Sequence, residues 1–138
     1  MNISHFERSK LIRFSHCDPA GIVFFPQYFV MFNDLVEDWV TEGLGLSYAD
    51  LLGRRRVGLP TVNLQCDFAA VSRMGDDVLL GLDVVRLGRS SIVLTLSCHM
   101  GAELRVKVTQ TLVCTNLDTH RAIPIPPDLR HAIERTDP

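Results

Sequence analysis

The sequence has no apolar run long enough to cross a membrane. Its longest stretches, such as Ile22 to Phe25, fall far short of the ~20 residues a helical span needs. No signal-peptide pattern opens the chain, because Met1 to Lys10 is polar. There is no excess of basic charge: 14 Lys and Arg face 16 Asp and Glu, for a net charge of -2. That balance argues against a general nucleic-acid binder. No two of Cys17, Cys66, Cys98 and Cys114 form a C-x-x-C pair, which excludes zinc-ribbon and thioredoxin-type sites. Scattered thiols without a signal sequence are expected to be reduced packing residues of a cytoplasmic protein. His5, His99, His120 and His131 show no ligand spacing, so no metal is expected. Repeats, linkers and low-complexity tracts are missing too. What remains is 138 residues, 46% hydrophobic and 22% charged. That is one ordinary domain, 1–138, able to bury about two-thirds of its surface.

The periodicity predicts an α+β order. Lys10 to Phe14 reads as a short strand. Asp18-Pro19-Ala20-Gly21 is turn chemistry. Pro26 opens a long helix, with Tyr28, Phe29, Phe32, Leu35, Val36, Trp39 and Val40 on one face and Gly43 and Gly45 at its end. A short helix is predicted over Ser47 to Leu52, with Ser47 and Asp50 spaced as in a capping box. From Thr61 the pattern has period two. Val62, Leu64, Cys66 and Phe68 share one face, which predicts a half-buried strand. Strands Val78 to Arg86, Ser91 to His99 and Leu104 to Cys114 follow, joined by tight turns, then a terminal helix over Asp128 to Arg135. Hairpin-length turns mean antiparallel neighbours. One antiparallel sheet with one dominant helix is the expected architecture.

Asp18 is the residue the pattern singles out for chemistry. It sits in a turn just before a buried helix. A helix N-terminus carries unpaired N–H groups and partial positive charge. A carboxylate there serves as nucleophile or as general base, while the N–H groups receive an oxyanion. The alternative is that Asp18 only closes an Asx-turn. His16-Cys17 is a poor nucleophile pair, since neighbours on an extended segment point to opposite faces. Arg54-Arg55-Arg56, Arg86 and Arg89 are the basic features, and the Arg89-Ser90-Ser91 turn is a candidate phosphate contact, because the guanidinium fork suits phosphate.

Asp18-Pro19-Ala20-Gly21-Ile22-Val23-Phe24-Phe25-Pro26-Gln27-Tyr28 resembles the signature of the 4-hydroxybenzoyl-CoA thioesterase family. Val57-Gly58-Leu59-Pro60 and Asp76-Asp77-Val78 extend the likeness along the chain. The resemblance implies a hot-dog fold, an antiparallel sheet wrapped around one long central helix. It implies hydrolysis of an aromatic or short to medium acyl-CoA, with Asp18 as the catalytic carboxylate and the Phe25 backbone N–H polarising the thioester carbonyl. It further implies Tyr28, Asn33, Pro60 and Thr61 as substrate contacts, and Arg89, Ser90 and Ser91 as the CoA contact. CoA is part of the substrate, and no cofactor is implied. A homodimer at least, and a homotetramer by pairing of dimers, is expected. Asn33 stands where that family carries an acid facing the acyl ring. Two other readings stay open: a non-catalytic acyl-CoA-binding module and a hot-dog dehydratase. The latter usually needs a site His, and the long helix carries none.

Overall fold

The computed structural model describes residues 4–135. β1 (Ser4–Leu11) leads through a short helical turn at Phe14–His16 to α1 (Pro26–Asp38). The helix runs on into one π-helical turn, Trp39–Gly43, closed by the Leu44 N–H donating to Trp39 O at 2.8 Å. α2 (Tyr48–Gly53), β2 (Val57–Gly58), β3 (Thr61–Phe68), β4 (Asp77–Leu87), β5 (Ser91–Met100), β6 (Glu103–Val113), β7 (Thr115–Asn116) and α3 (Pro127–Glu134) complete the order. The main sheet has the order β1-β4-β5-β6-β3, antiparallel throughout. β2 and β7 form a separate two-stranded sheet.

The core lies between α1 and one face of this sheet. Tyr28, Met31, Phe32, Leu35 and Val36 are buried on the helix. Leu80, Leu82, Val84, Leu94, Leu96, Val106 and Val108 are buried on the strands. The alternation read from the sequence is the pleat itself, successive side chains pointing to opposite faces. Capping at α2 takes half of its expected form. Ser47 Oγ accepts from the Asp50 N–H at 3.1 Å, but the Asp50 carboxylate grips Arg54 instead of returning to the cap. Cys98 and Cys114 are fully buried, and burial pushes both thiols up to about 11.

Two expectations are corrected. The first strand is Ser4–Leu11, not Lys10 to Phe14, and Phe14–His16 is a helical turn. β1 hides from hydropathy because its inward positions include Arg8 and Lys10, and Arg8 pairs with Glu42 beyond the end of α1. The second concerns β3, which is not half-buried in the protomer. Val62, Leu64 and Phe68 are 60%, 41% and 52% exposed. β3 is an edge strand, hydrogen-bonded to β6 on one side only, and its apolar face is left largely uncovered.

Candidate active site

The segment after β1 doubles back on itself. Cys17 pairs with Val23 as an antiparallel bridge. The Asp18 N–H donates to Ile22 O at 3.0 Å and the Phe24 N–H to His16 O at 2.9 Å. At the tip the Gly21 N–H donates to Asp18 O at 2.9 Å, and Gly21 has φ of 79°. That left-handed conformation explains the glycine. The Ala20 N–H donates to Asp18 Oδ1 at 2.8 Å, so the Asx-turn is present. It occupies one oxygen. Oδ2 has no hydrogen-bond partner among the described residues. The structural and chemical readings of Asp18 are therefore compatible: the turn aims the carboxylate and leaves one oxygen free.

The loop ends at the N-terminus of α1. Phe25 is the cap residue, already helical at φ -54° and ψ -35°. Pro26 follows and has no N–H to satisfy. The Gln27 N–H donates to Phe24 O at 2.8 Å and the Tyr28 N–H to Phe25 O at 3.2 Å. The Phe25 N–H donates to no acceptor among the described residues. It is an open donor at the positive end of the helix.

A cavity of about 340 Å³ lies between α1 and the inner face of β3, β5 and β6. Phe29, Phe32, Leu64 and Val108 make it apolar, and Asn33, Thr61 and Gln110 add neutral polar groups. Phe68 bridges this cavity to the helix end. Its ring lies edge-on to Phe25 at 6.0 Å and to Phe29 at 6.4 Å. Asn33 and Thr61, far apart in sequence, thus meet in one pocket. Gln110 joins them unforeseen: its Nε2 donates to Thr61 Oγ1 at 2.7 Å. It sits mid-strand with its side chain on the core face, and only the β3–β6 register shows that it faces the pocket.

The other candidates lie elsewhere. Tyr28 is only 4% exposed, with its ring against Phe68 and its hydroxyl near Ser72. Burial raises its pKa. Pro60 lines a second, apolar cavity of about 500 Å³ with Tyr48, Leu52, Leu59 and His120. Arg89, Ser90 and Ser91 form the β4–β5 turn. Ser91 O accepts from the Gly88 N–H, and the carbonyls of Arg89 and Ser90 accept from Ile125 and Cys114. Arg54, Arg55 and Arg56 pair with Asp50, Asp128 and Asp118, so this basic run is engaged within the protomer. His16 Nδ1 accepts from the Arg13 N–H at 2.9 Å, and the Cys17 thiol donates to Arg13 O at 3.4 Å. The two side chains meet Arg13 rather than each other. Burial lowers the His16 pKa.

The chain is similar to known proteins in sequence and fold. A 1,4-dihydroxy-2-naphthoyl-CoA hydrolase of Synechocystis sp. is 25% identical over 130 residues, 93% of this chain and 94% of its own. Its counterpart in Synechococcus sp. is 29% identical over 125 residues, 87% of this chain and 83% of its own. A solved gentisyl-coenzyme A thioesterase superposes with a TM-score of 0.82 at 25% identity, covering 91% of this chain and 99% of that one. The Synechocystis 1,4-dihydroxy-2-naphthoyl-CoA thioesterase gives 0.85 at 24% identity, over 94% and 95%. These relatives are named for naphthoyl and gentisyl esters. They support the hot-dog thioesterases as a group and not the 4-hydroxybenzoyl branch in particular. The family model of the Thioesterase-like superfamily matches residues 12–133, from the end of β1 to α3, and the chain belongs to that superfamily.

Proposed function

We propose that this thioester hydrolase acts on the CoA ester of a dihydroxylated aromatic acid. The observation that carries the reading is the pairing of two unengaged groups on one loop: Asp18 Oδ2 and the Phe25 N–H. The thioester carbonyl oxygen takes the Phe25 N–H. Asp18 either adds to the acyl carbon or takes a proton from the water that does. Negative charge grows on the carbonyl oxygen, where the helix end stabilises it. The C–S bond then breaks and CoA leaves as a thiolate, which takes up a proton; where Asp18 has added, water then cleaves the acyl–Asp18 anhydride to the free acid and the carboxylate. A thiol of pKa near 8.5 leaves readily, so strong acid assistance to the sulfur is not needed.

The acyl group follows from the pocket and the relatives. Gentisyl and 1,4-dihydroxy-2-naphthoyl groups share one pattern: two hydroxyls para to each other, one of them ortho to the carbonyl. The cavity of about 340 Å³ is at the small end of ligand pockets, which run roughly 300–1,000 Å³. It suits one aromatic ring or two fused ones. Its polar groups, Asn33, Thr61 and Gln110, are neutral and match neutral phenols. Tyr28 supports the site by packing its ring against Phe68, and Pro60, next to Thr61 in the chain, lines the neighbouring cavity. Arg89, Ser90 and Ser91 supply the exposed turn for the CoA phosphates. A panel assay of free-thiol release tests this. Gentisyl- and 1,4-dihydroxy-2-naphthoyl-CoA are expected to exceed 4-hydroxybenzoyl- and hexanoyl-CoA in kcat/KM by at least about tenfold. A preference for hexanoyl-CoA would overturn the aromatic assignment, and no turnover on any ester would favour a binding module.

The same reading includes a second copy of the chain. An exposed apolar edge strand invites pairing, and β3 lies at the mouth of the cavity with Val62, Leu64 and Phe68 uncovered. Pairing of two copies along β3 closes the pocket, and two dimers make a tetramer. Light scattering is expected to give a dimer or tetramer for the wild type and a monomer for Leu64→Glu. A monomeric wild type at micromolar concentration would count against the arrangement.

A further inference from the structure

The Asp18 loop leans on the turn between β3 and β4. Ser72 O accepts from the Val23 N–H at 2.9 Å, the Met74 N–H donates to Gly21 O at 3.1 Å, and Ile22 pairs with Arg73. The same turn also holds the chain before the loop, through the Gly75 N–H to Ile12 O and the Ile12 N–H to Asp76 O, both 2.8 Å. Its own packing is thin, for Val71 and Met74 are 44% and 55% exposed.

Arg105 of β6 braces it. The residue is 6% exposed. Nη1 lies 2.9 Å from Val71 O, 3.3 Å from Ser72 Oγ and 2.8 Å from Asp76 Oδ2. Nε sits 2.6 Å from Glu103 Oε1, outside hydrogen-bonding geometry. The carbonyl of Arg105 accepts from the Ala69 and Ala70 N–H groups. Asp76 Oδ2 also accepts from the Arg73 N–H at 2.9 Å. One guanidinium therefore ties the two ends of the turn together. Ser72 is fully buried, with Tyr28 and Cys98 beside it. Ser72 thereby lies next to Tyr28 in the first turn of α1. A buried ion pair is weak evidence for stability, since apolar residues of similar size often do as well. Its reach to both halves of the site suggests a different use.

We infer that Arg105 is a positioning residue. Through Ser72 and the β3–β4 turn it sets the Asp18 carboxylate at its height relative to the Phe25 N–H. This rests on the roles given to Asp18 and Phe25 above. The test is Arg105→Gln with Asp76→Asn, which removes both buried charges and leaves only the solvent-exposed Glu103 without its partner. Melting temperature, kcat, KM and amide hydrogen exchange are measured together. Misplacement of reacting groups by about 1 Å costs ~10²-fold. The expected result is a folded protein with kcat down by about 10–100-fold, KM little changed, and faster exchange at Val23 and Met74 than in β4 and β5. Arg105→Lys, keeping a donor for Asp76, is expected to recover part of kcat. Wild-type kcat in the double variant would overturn the inference. So would a loss of kcat with exchange at Val23 and Met74 unchanged. Should the double variant not fold, Ser72→Ala removes one hydroxyl alone, and its kcat is expected to fall several-fold; an unchanged kcat there would also overturn the inference. A wild type inert on every ester refutes the function, while the exchange measurement still judges the brace.

Discussion

Asp18→Asn is expected to lower kcat by about 10²–10⁴-fold, the range of a lost acid–base group, with KM nearly unchanged. The substitution is close to isosteric. Its amide oxygen keeps the bond from the Ala20 N–H, so the Asx-turn and the Gly21 turn survive. Only the charge and basicity of the carboxylate are removed. Because that charge acts in the transition state, the loss belongs in kcat rather than in substrate binding. Stopped-flow and steady-state thiol release with gentisyl-CoA measure it. A variant that keeps more than half of wild-type turnover would show that Asp18 is only a turn residue. Single turnover in ¹⁸O-water then separates the two chemical routes. Label in Asp18 marks an anhydride opened at the Asp18 carbonyl; label in the first equivalent of product acid alone marks attack of water on the acyl carbon, and trapping of an acylated Asp18 by rapid quench then tells an anhydride from the thioester.

Phe25→Pro is expected to cost about 10²–10³-fold in kcat relative to Phe25→Ala, the cost of one oxyanion donor, roughly 3–4 kcal/mol. Proline removes the backbone N–H and little else that the fold requires. Its ring fixes φ near −65 ± 15°, and Phe25 already has φ of -54°. No intramolecular hydrogen bond is lost among the described residues, because this N–H makes none. Both variants lose the aromatic ring, which is 55% exposed and touches Phe24 and Phe68. Their difference therefore isolates the N–H. Matched melting temperatures would show that the comparison reports chemistry rather than folding. Equal activity of the two variants would place the oxyanion site elsewhere.

These two experiments address residues that the linear pattern already marks. Asp18, the turn glycine and Pro26 lie within nine residues of one another. Their roles depend on local backbone geometry, and local geometry is what turn and helix-start rules describe. The residues that complete the site are different. Asn33 stands on α1 and Thr61 on β3, and the sequence places no constraint on their distance. Gln110 looks like an ordinary strand residue until β6 is paired with β3. Arg105 looks like a surface cation in a strand that reaches a hairpin tip. Its partners Val71, Ser72 and Asp76 come from a turn more than 25 residues earlier.

By itself the sequence determined the order of the main helices and of β3 to β6, the buried face of α1, the antiparallel hairpins and the turn that holds Asp18, but not the short β2–β7 pair. Each follows from interactions within a few residues: the helical and strand periods, the fixed φ of proline, and the freedom of glycine. The tertiary structure alone decided where β1 begins and that β3 is an edge with its apolar face open. It also decided that Asn33, Thr61 and Gln110 share a cavity and that Arg105 braces the turn against which the Asp18 loop rests. The physical reason is the same in each case. A side chain's period says which face it takes, but what that face meets depends on strand pairing and register between segments distant in the chain.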